Sequence, residues 1–400
     1  MNNLDKEKQV DKILKRGIIK QILPEEETFR KKLLTEKLRF YIGADPTSVA
    51  LHLSHAKNYM LLEEFRQLGH EVIVLIGDFT ARIGDPSDKS SARKQLTKEE
   101  VKVNVLGWVK QIKPLLDFSD EENPAKILYN STWLSKLTME EVVELASNTT
   151  VQQMLERDMF EKRMKENKPI FLHEFIYPLM QGYDSVAMDV DVELCGTDQI
   201  FNALMGRTLL KKIKNKDKFV MAVNLMENPV TGNLMSKSLG TGIFLDFSSQ
   251  DMYGAIMSQP DEMIKVFLIN NTRISLEDID KIVEVDNPRD AKMRTAYEIV
   301  KIFHGEEKAK KAQADFVVKF QTKKVPDNLE EIVLKKDKAT LFEILKNGLS
   351  DLSNSDIRRL VSQGAVKIDD NVKEDLKEII DISKDLVLKA GKKKWFKVVK

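Results

Sequence analysis

The sequence predicts an α/β chain built on a doubly wound parallel sheet. Three observations carry this. "LRFYIGAD" reads as a short buried strand, Leu38 to Ile42, that runs into a glycine turn. From His55 the apolar residues Tyr59, Leu62, Phe65 and Leu68 recur at helical spacing, with Gly69 as the stop. "EVIVLIGDF" then supplies a near-continuous apolar run, Val72 to Ile76, suited to a strand covered on both faces. Strand, helix and strand within about 40 residues make a βαβ unit.

The remaining elements follow in order. Residues 9–36 read as amphipathic helices broken at Pro24. The Gly43–Thr47 turn and the loop "GDFTARIGDPSDKSSAR" lie at carboxyl ends of strands, where such sheets bind ligands. Residues 98–190 read as mainly helical, and "DVDVELCGTDQ" returns to strand and then loop. "KFVMAVNLM" is another apolar strand, leading into "ENPVTGNLMSKSLGTG". From Ser249 to about Asn328 the pattern is helical and charged, and "KKVPDN" around Pro326 reads as a linker. A small α+β module begins near Thr340. In it "NSDIRRLVSQGAVKIDDN" reads as N-cap Ser355, a short helix, Gly364 as its stop, a strand from Val366 to Ile368, and a turn. The expected division is 1–247 with a helical insertion at about 130–190, then 248–330, then 338–400.

Composition narrows the class. The 400 residues are 42% hydrophobic and 32% charged, enough for real cores, and a net charge of +1 creates no global field toward nucleic acid. A DNA partner is not expected. The single cysteine, Cys195, excludes an internal disulfide framework and a cysteine zinc cluster, and fits a reducing cytoplasm. The charged N-terminus lacks the apolar core of a secretory signal. No apolar run approaches the roughly 18 residues of a membrane span. Local charge is uneven: Ala339 to Lys400 carries 13 basic and 10 acidic residues, and "GKKKWFKVVK" has five lysines and no acid. Lys392, Lys393 and Lys394, with Arg358 and Arg359, suit phosphate contacts, and Trp395 and Phe396 suit stacking on unpaired bases. The plainer alternative is a solvated lysine tail on a hairpin whose aromatics are core.

His52 and His55 stand three residues apart at the start of a helix, after the loosened turn of Gly43, Pro46 and Thr47. A metal site would need further ligands, and His70, His173 and His304 sit at no ligand-like spacing. Packing under the loop and anion binding at the helix N-terminus both fit locally. "LMSKSLG", Leu234 to Gly240, favours the anion: a lysine flanked by hydroxyls suits a polyphosphate whose charge shifts during reaction.

A His-x-x-His pair at a first strand–helix junction and an "MSKS" loop together resemble the paired HIGH and KMSKS signatures of class I aminoacyl-tRNA synthetases. "YIGADPT…LHLSH", "GDFTARIGDPS", "YPLMQGYDS", "GTDQ" and "MSKS" occur in the order of the bacterial tyrosyl members, over a similarity from about Leu38 to Lys400. The resemblance implies a Rossmann-like catalytic domain with a helical, dimer-forming insertion, an α-helical anticodon-region domain, and a small RNA-binding module. It implies L-tyrosine, ATP with Mg²⁺, and tRNA(Tyr) as substrates and partners, and a homodimer. Tyr41 and Asp184 would bond the substrate phenol. Asp85, Tyr177 and Gln181 would hold its ammonium, with Gly43 and Asp45 alongside. Thr47, His52 and His55 would bind ATP phosphates, His55 the ribose as well. Gly196, Asp198 and Gln199 would contact the adenylate and ribose. Lys237 and Ser238 would close on the phosphates, and Lys89 and Arg93 would grip pyrophosphate. Tyr177, Gln181 and Asp184 fall at i, i+4 and i+7, one face of a helix.

Two residues depart from the family pattern: Leu234 replaces the first lysine of KMSKS, and Ser54 replaces the usual glycine of HIGH. Two rivals stand beside this reading. One is a tryptophanyl enzyme of the same fold or another HxGH nucleotidyltransferase. The other is a catalytically silent paralogue that only binds RNA.

Overall fold

The computed structural model describes residues 3–85, 96–235, 241–285, 287–320, 329–350, 352–369, 371–391 and 394–400. The chain forms two units, Met1–Asp315 and Phe316–Lys400.

The first unit opens with helix α1 (Asn3–Lys15), strand β1 (Ile19–Leu23) and helix α2 (Glu26–Thr35). The strand corrects the expectation of helices alone over 9–36. Residues Ile19–Leu23 pair antiparallel with a strand some two hundred residues later, Ile22 opposite Met221. Five residues on a sheet edge carry too little local pattern to declare a strand against flanking helices. Next come β2 (Arg39–Ala44), α3 (Leu53–Gln67) and β3 (Glu71–Ile76), the expected βαβ unit. Gly69, just past α3, takes φ +93, the left-handed stop that glycine adopts freely. Helix α4 (Lys98–Ile112) starts from a Thr97–Glu100 capping box. Strand β4 (Lys126–Tyr129) follows, and its place on the sheet edge corrects the mainly helical reading of that region.

Helices α5 (Ser131–Leu134), α6 (Met139–Ala146), α7 (Val151–Leu155), α8 (Asp158–Lys165) and α9 (Leu172–Met188) form the stretch before β5 (Val192–Gly196). Helix α10 (Ile200–Lys214) and β6 (Phe219–Val223) complete the sheet, whose order is β1-β6-β5-β2-β3-β4. All its pairs are parallel except β1 with β6. The chain therefore lays β2, β3 and β4 outward to one side, then returns to place β5 and β6 on the other. The order reverses between β2 and β5, and the crevice beyond their carboxyl ends is where an open α/β sheet takes ligands.

Helices α11 (Ser249–Met257), α12 (Met263–Asn271), α13 (Leu276–Val285), α14 (Pro288–His304) and α15 (Glu306–Phe320) follow. Two polar ties hold α12 to the sheet layer. The buried Arg16 guanidinium donates to the carbonyls of Ile269 and Ile274 at 2.9 Å and of Thr272 at 2.5 Å, satisfying the end of α12. Asn271 Nδ2 donates to the carbonyl of Leu53 at 2.8 Å, at the first turn of α3.

The second unit holds β7 (Glu330–Val333), β8 (Lys338–Thr340), α16 (Leu341–Gly348), α17 (Asn354–Ser362), β9 (Val366–Ile368), β10 (Asn371–Val372), β11 (Ile379–Asp381), β12 (Leu386–Ala390) and β13 (Lys394–Val399). One sheet runs β10-β9-β12-β13-β7, and β11 pairs with β8. Strands thus begin before Thr340. The cap of α17 is Ser353, whose hydroxyl accepts from Asp356 N at 3.2 Å, and Ser355 is not the cap. Phe396 lies in the core with Val366 and Leu388, so of the aromatic pair only Trp395 keeps an outward place, with Lys389 Nζ 4.7 Å from its ring centre.

Candidate active site

A cavity of about 730 Å³ opens at the switch point, lined by the ends of β2 (Ile42, Gly43, Ala44) and of β5 (Leu194, Cys195, Gly196). Each wall follows from local sequence. The apolar strands end in glycine, and α3 and α9 start or pass beside those ends.

His52 is the N-cap of α3 and His55 stands one turn in; both line the cavity. The His52 backbone N–H donates to His55 Nδ1 at 3.2 Å, which places the proton of a neutral His55 on Nε2. Burial lowers His52 to about 4 and His55 to about 3, the second also repelled by His52. Two neutral imidazoles at a helix N-terminus offer donors and the dipole, not full charge, to an anion. Among the described residues His52 Nδ1 is buried without a hydrogen-bond partner. Residues 243–245 lie against this turn, Leu53 N donating to Ile243 O at 3.0 Å and Leu245 N to Leu51 O at 2.8 Å. His70, by contrast, accepts from Leu38 N at 3.2 Å and serves the core.

Helix α9 brings Tyr177, Gln181 and Asp184 to the same cavity, as the one-face spacing predicts. The Tyr177 hydroxyl donates to Asp45 Oδ2 at 2.9 Å, and Thr80 Oγ1 donates to Asp45 Oδ1 at 2.6 Å. Asp184 accepts from Trp133 Nε1 at 2.7 Å and from Asn130 Nδ2 at 3.3 Å. Burial holds the Asp184 carboxyl well above its ordinary range, against the pull of those two N–H groups. Asn130 also donates to Thr80 Oγ1 at 3.0 Å, so one amide joins the surroundings of the two carboxyls. Asp85, Gly43, Thr47 and Gln199 line the cavity too, and Gln199 Nε2 donates to Asp85 Oδ2 at 2.7 Å.

Tyr41 is fully buried, its ring 3.7 Å from the Cβ position of Gly43, which lines the cavity, and its hydroxyl 2.9 Å from Ser185 Oγ. Asp198 lies beside Gln199 just outside the lining, with Gln199 Nε2 3.4 Å from Asp198 Oδ2. Lys89, Arg93, Lys237, Ser238, Lys392 and Lys393 lie outside the described residues. Arg358, Arg359 and Lys394 are exposed in the second unit, Arg359 paired with Asp356 at 2.9 Å. Sequence reasoning missed Thr80, Asn130, Trp133, Glu193, Ser185 and Lys218. Thr80, Ser185, Glu193 and Lys218 lie within stretches quoted above, but nothing local singles out any of the six, because each acts on a partner distant in the chain.

Known proteins are similar to this chain in sequence and in fold. Residues 32–321 match the family model of class I tRNA synthetases (W and Y). A tyrosine–tRNA ligase of Moorella thermoacetica is 43% identical over 393 residues, 96% of this chain and 94% of that protein. One of Thermotoga maritima is 43% identical over 397 residues, 98% of this chain and 97% of that protein. In fold, a C-terminally truncated mitochondrial tyrosyl-tRNA synthetase of Aspergillus nidulans superposes with TM-score 0.68 at 23% identity, over 78% of this chain and 94% of that one. The chain belongs to the class I tRNA synthetases of the tryptophan and tyrosine family.

Proposed function

We infer that within this family the chain is a tyrosine–tRNA ligase, which activates tyrosine with ATP and then charges tRNA. The carrying observation is that α3 and α9 deliver His52, His55, Tyr177, Gln181 and Asp184 to one cavity at the switch point. High identity to tyrosine enzymes along nearly the whole chain supports the amino acid.

The reaction needs little covalent help. An oxygen of the tyrosine carboxylate, ionised at neutral pH, forms a bond to the α-phosphorus of ATP. The bond from that phosphorus to the bridging oxygen breaks, and its electrons leave with pyrophosphate. No general base is required, so the site works by positioning and by stabilising charge. We assign the phosphates to Thr47, His52 and His55, joined by Lys237, Ser238, Lys89 and Arg93. The adenylate ribose falls to Gly196, Asp198 and Gln199. The ammonium of tyrosine falls to Asp85, Tyr177 and Gln181, with Gly43 and Asp45 beside the substrate. Tyr41 and Asp184 would read the phenol, since phenylalanine there would leave buried groups unpaired. Rejection of phenylalanine on this ground is already the known behaviour of tyrosyl-tRNA synthetases as a class. Mg²⁺ would arrive on the ATP phosphates. Among the described residues no group of three or more His, Cys, Asp or Glu could hold a metal.

Further assignments belong to the same reading. A homodimer is supported by apolar residues exposed on α4, α6 and α9, among them Leu106, Met139 and Leu172. The helical stretch from 248 would approach the anticodon region. Arg358, Arg359 and Lys392 to Lys394 would contact tRNA phosphates. No helix among the described residues is long and apolar enough to cross a membrane, and the lone buried Cys195 suits a cytoplasmic setting.

The test is ATP–pyrophosphate exchange with Mg²⁺, supplying tyrosine, phenylalanine or tryptophan separately. Exchange with tyrosine alone is expected. Exchange with tryptophan alone would move the chain to the other branch of its family. No exchange from folded protein that binds tRNA would point to the silent paralogue.

A further inference from the structure

Beside the cavity lies a buried polar chain, reaching its lining at Glu193, to which the adenylation chemistry assigns no role. Lys218, at the entry to β6, and Ser185, on α9, are both 0% exposed, and Glu193 on β5 is 2% exposed. Lys218 Nζ donates to Ser185 Oγ at 2.8 Å and pairs with Glu193 Oε2. The other Glu193 oxygen, Oε1, accepts from Gln181 Nε2 at 3.0 Å. Ser185 Oγ is 2.9 Å from the Tyr41 hydroxyl. The ion pair therefore ends at Tyr41 on one side and at Gln181 on the other. Glycine at 206 keeps the space open: a Cβ there would fall 2.6 Å from Lys218 Nζ and 2.7 Å from Ser185 Oγ.

The chemistry of these groups fixes direction. An ammonium only donates and a carboxylate only accepts. Glu193 must therefore receive the NH₂ of Gln181, which leaves Gln181 Oε1 as the acceptor for a substrate ammonium. Lys218 occupies a lone pair of Ser185 and so limits how the Ser185 and Tyr41 hydroxyls share their protons. Glu193 also lines the cavity, and Lys218 balances its charge there. A buried pair of this kind is often no more stabilising than apolar residues of the same volume, so stability alone is a weak reason for it.

We propose that Lys218, Glu193 and Ser185 form a positioning unit that orients Tyr41 and Gln181 and so sets the selection of tyrosine over phenylalanine. This rests on the reading that Tyr41 and Gln181 face the substrate's phenol and ammonium. None of the three touches the reacting atoms.

The test uses the full chain and ATP–pyrophosphate exchange with tyrosine and with phenylalanine. Lys218→Met alone leaves a buried unpaired carboxylate and risks unfolding. The double variant Lys218→Met/Glu193→Gln removes both charges and keeps the volume. It is expected to fold, to raise KM for tyrosine at least tenfold, to leave KM for ATP unchanged, and to lower the tyrosine-to-phenylalanine ratio of kcat/KM at least tenfold. Ser185→Ala is expected to lower the ratio in the same direction without changing any charge. Tyr41→Phe tests the reading underneath, and its ratio should fall too. An unchanged ratio in Tyr41→Phe would overturn that reading and the positioning role with it. A lowered ratio in Tyr41→Phe beside wild-type values in the double variant and Ser185→Ala would overturn the positioning role alone.

Discussion

The backbone N–H of His52 donates to Nδ1 of His55 at 3.2 Å, and their ring centres stand 3.9 Å apart. This bond suits a neutral His55 and turns its Nε2–H outward from the backbone turn. With pKa values lowered to about 4 and about 3, neither histidine titrates between about pH 5 and 8. Tyrosine-dependent exchange is therefore expected to show no histidine midpoint in that interval. His55→Gln should lower kcat by about 10²-fold, the scale for losing one donor to developing charge, with KM for tyrosine unchanged. A midpoint near 6.5 that vanishes in His55→Gln would contradict this.

The same pair shapes stability. The unfolded chain binds protons on these histidines near 6.5, while the folded chain resists until about 4 and about 3. The unfolded state thus holds more protons in that window, and stability is lost as pH falls through it. Urea unfolding at several pH values should show a shallower acid slope in His52→Gln/His55→Gln than in the wild type.

Trp133 and Asp184 form a second relationship open to test. Trp133→Phe removes the Nε1 donor that meets Asp184 Oδ1 at 2.7 Å. A buried acceptor left with one partner fewer costs about 1–3 kcal/mol. Denaturant unfolding should register that loss, and exchange should show a poorer tyrosine-to-phenylalanine ratio.

Gly77 sits where a Cβ would overlap both Asp45 Oδ1 and Thr80 Oγ1. Gly77→Ala must break the Thr80–Asp45 bond and disturb the carboxylate that Tyr177 also holds. A raised KM for tyrosine and a loss of about 1–3 kcal/mol are expected. Gly254→Ala is the control: nothing lies within 4 Å of its Cβ position on α11, so a gain of about 0.5–1 kcal/mol from helix propensity is expected.

In the second unit, Arg358→Ala/Arg359→Ala/Lys394→Ala should weaken tRNA binding and flatten its salt dependence, by about 0.7–0.9 in log–log slope for each phosphate left unneutralised. Filter binding across a salt series measures it. Unchanged affinity and slope would remove these side chains from the tRNA surface.

Much of the catalytic sheet was legible because its signals are local. The runs at Val72–Ile76 and Phe219–Val223 are apolar throughout, and a strand covered on both faces needs nothing else to declare itself. The α9 face was legible from spacing, since Tyr177, Gln181 and Asp184 share a side of any helix. The edge strands β1 and β4 were not: each is short, partly exposed and defined by its neighbour. Ser353 won the cap over Ser355 because Asp356 N points back to it at 3.2 Å, a choice between two similar residues made by backbone geometry.

By itself, the sequence determined the parallel core, the turns at its carboxyl ends, and the residue types gathered there, because burial pattern and glycine punctuation act within a few residues. The tertiary structure alone decided which side chains line the cavity and which are buried beside it. Tyr41 meets Ser185 across 144 residues and Lys218 meets Glu193 across 25. Such pairings depend on strand order and register, which bring distant polar groups to hydrogen-bonding distance only after the sheet has closed over its core.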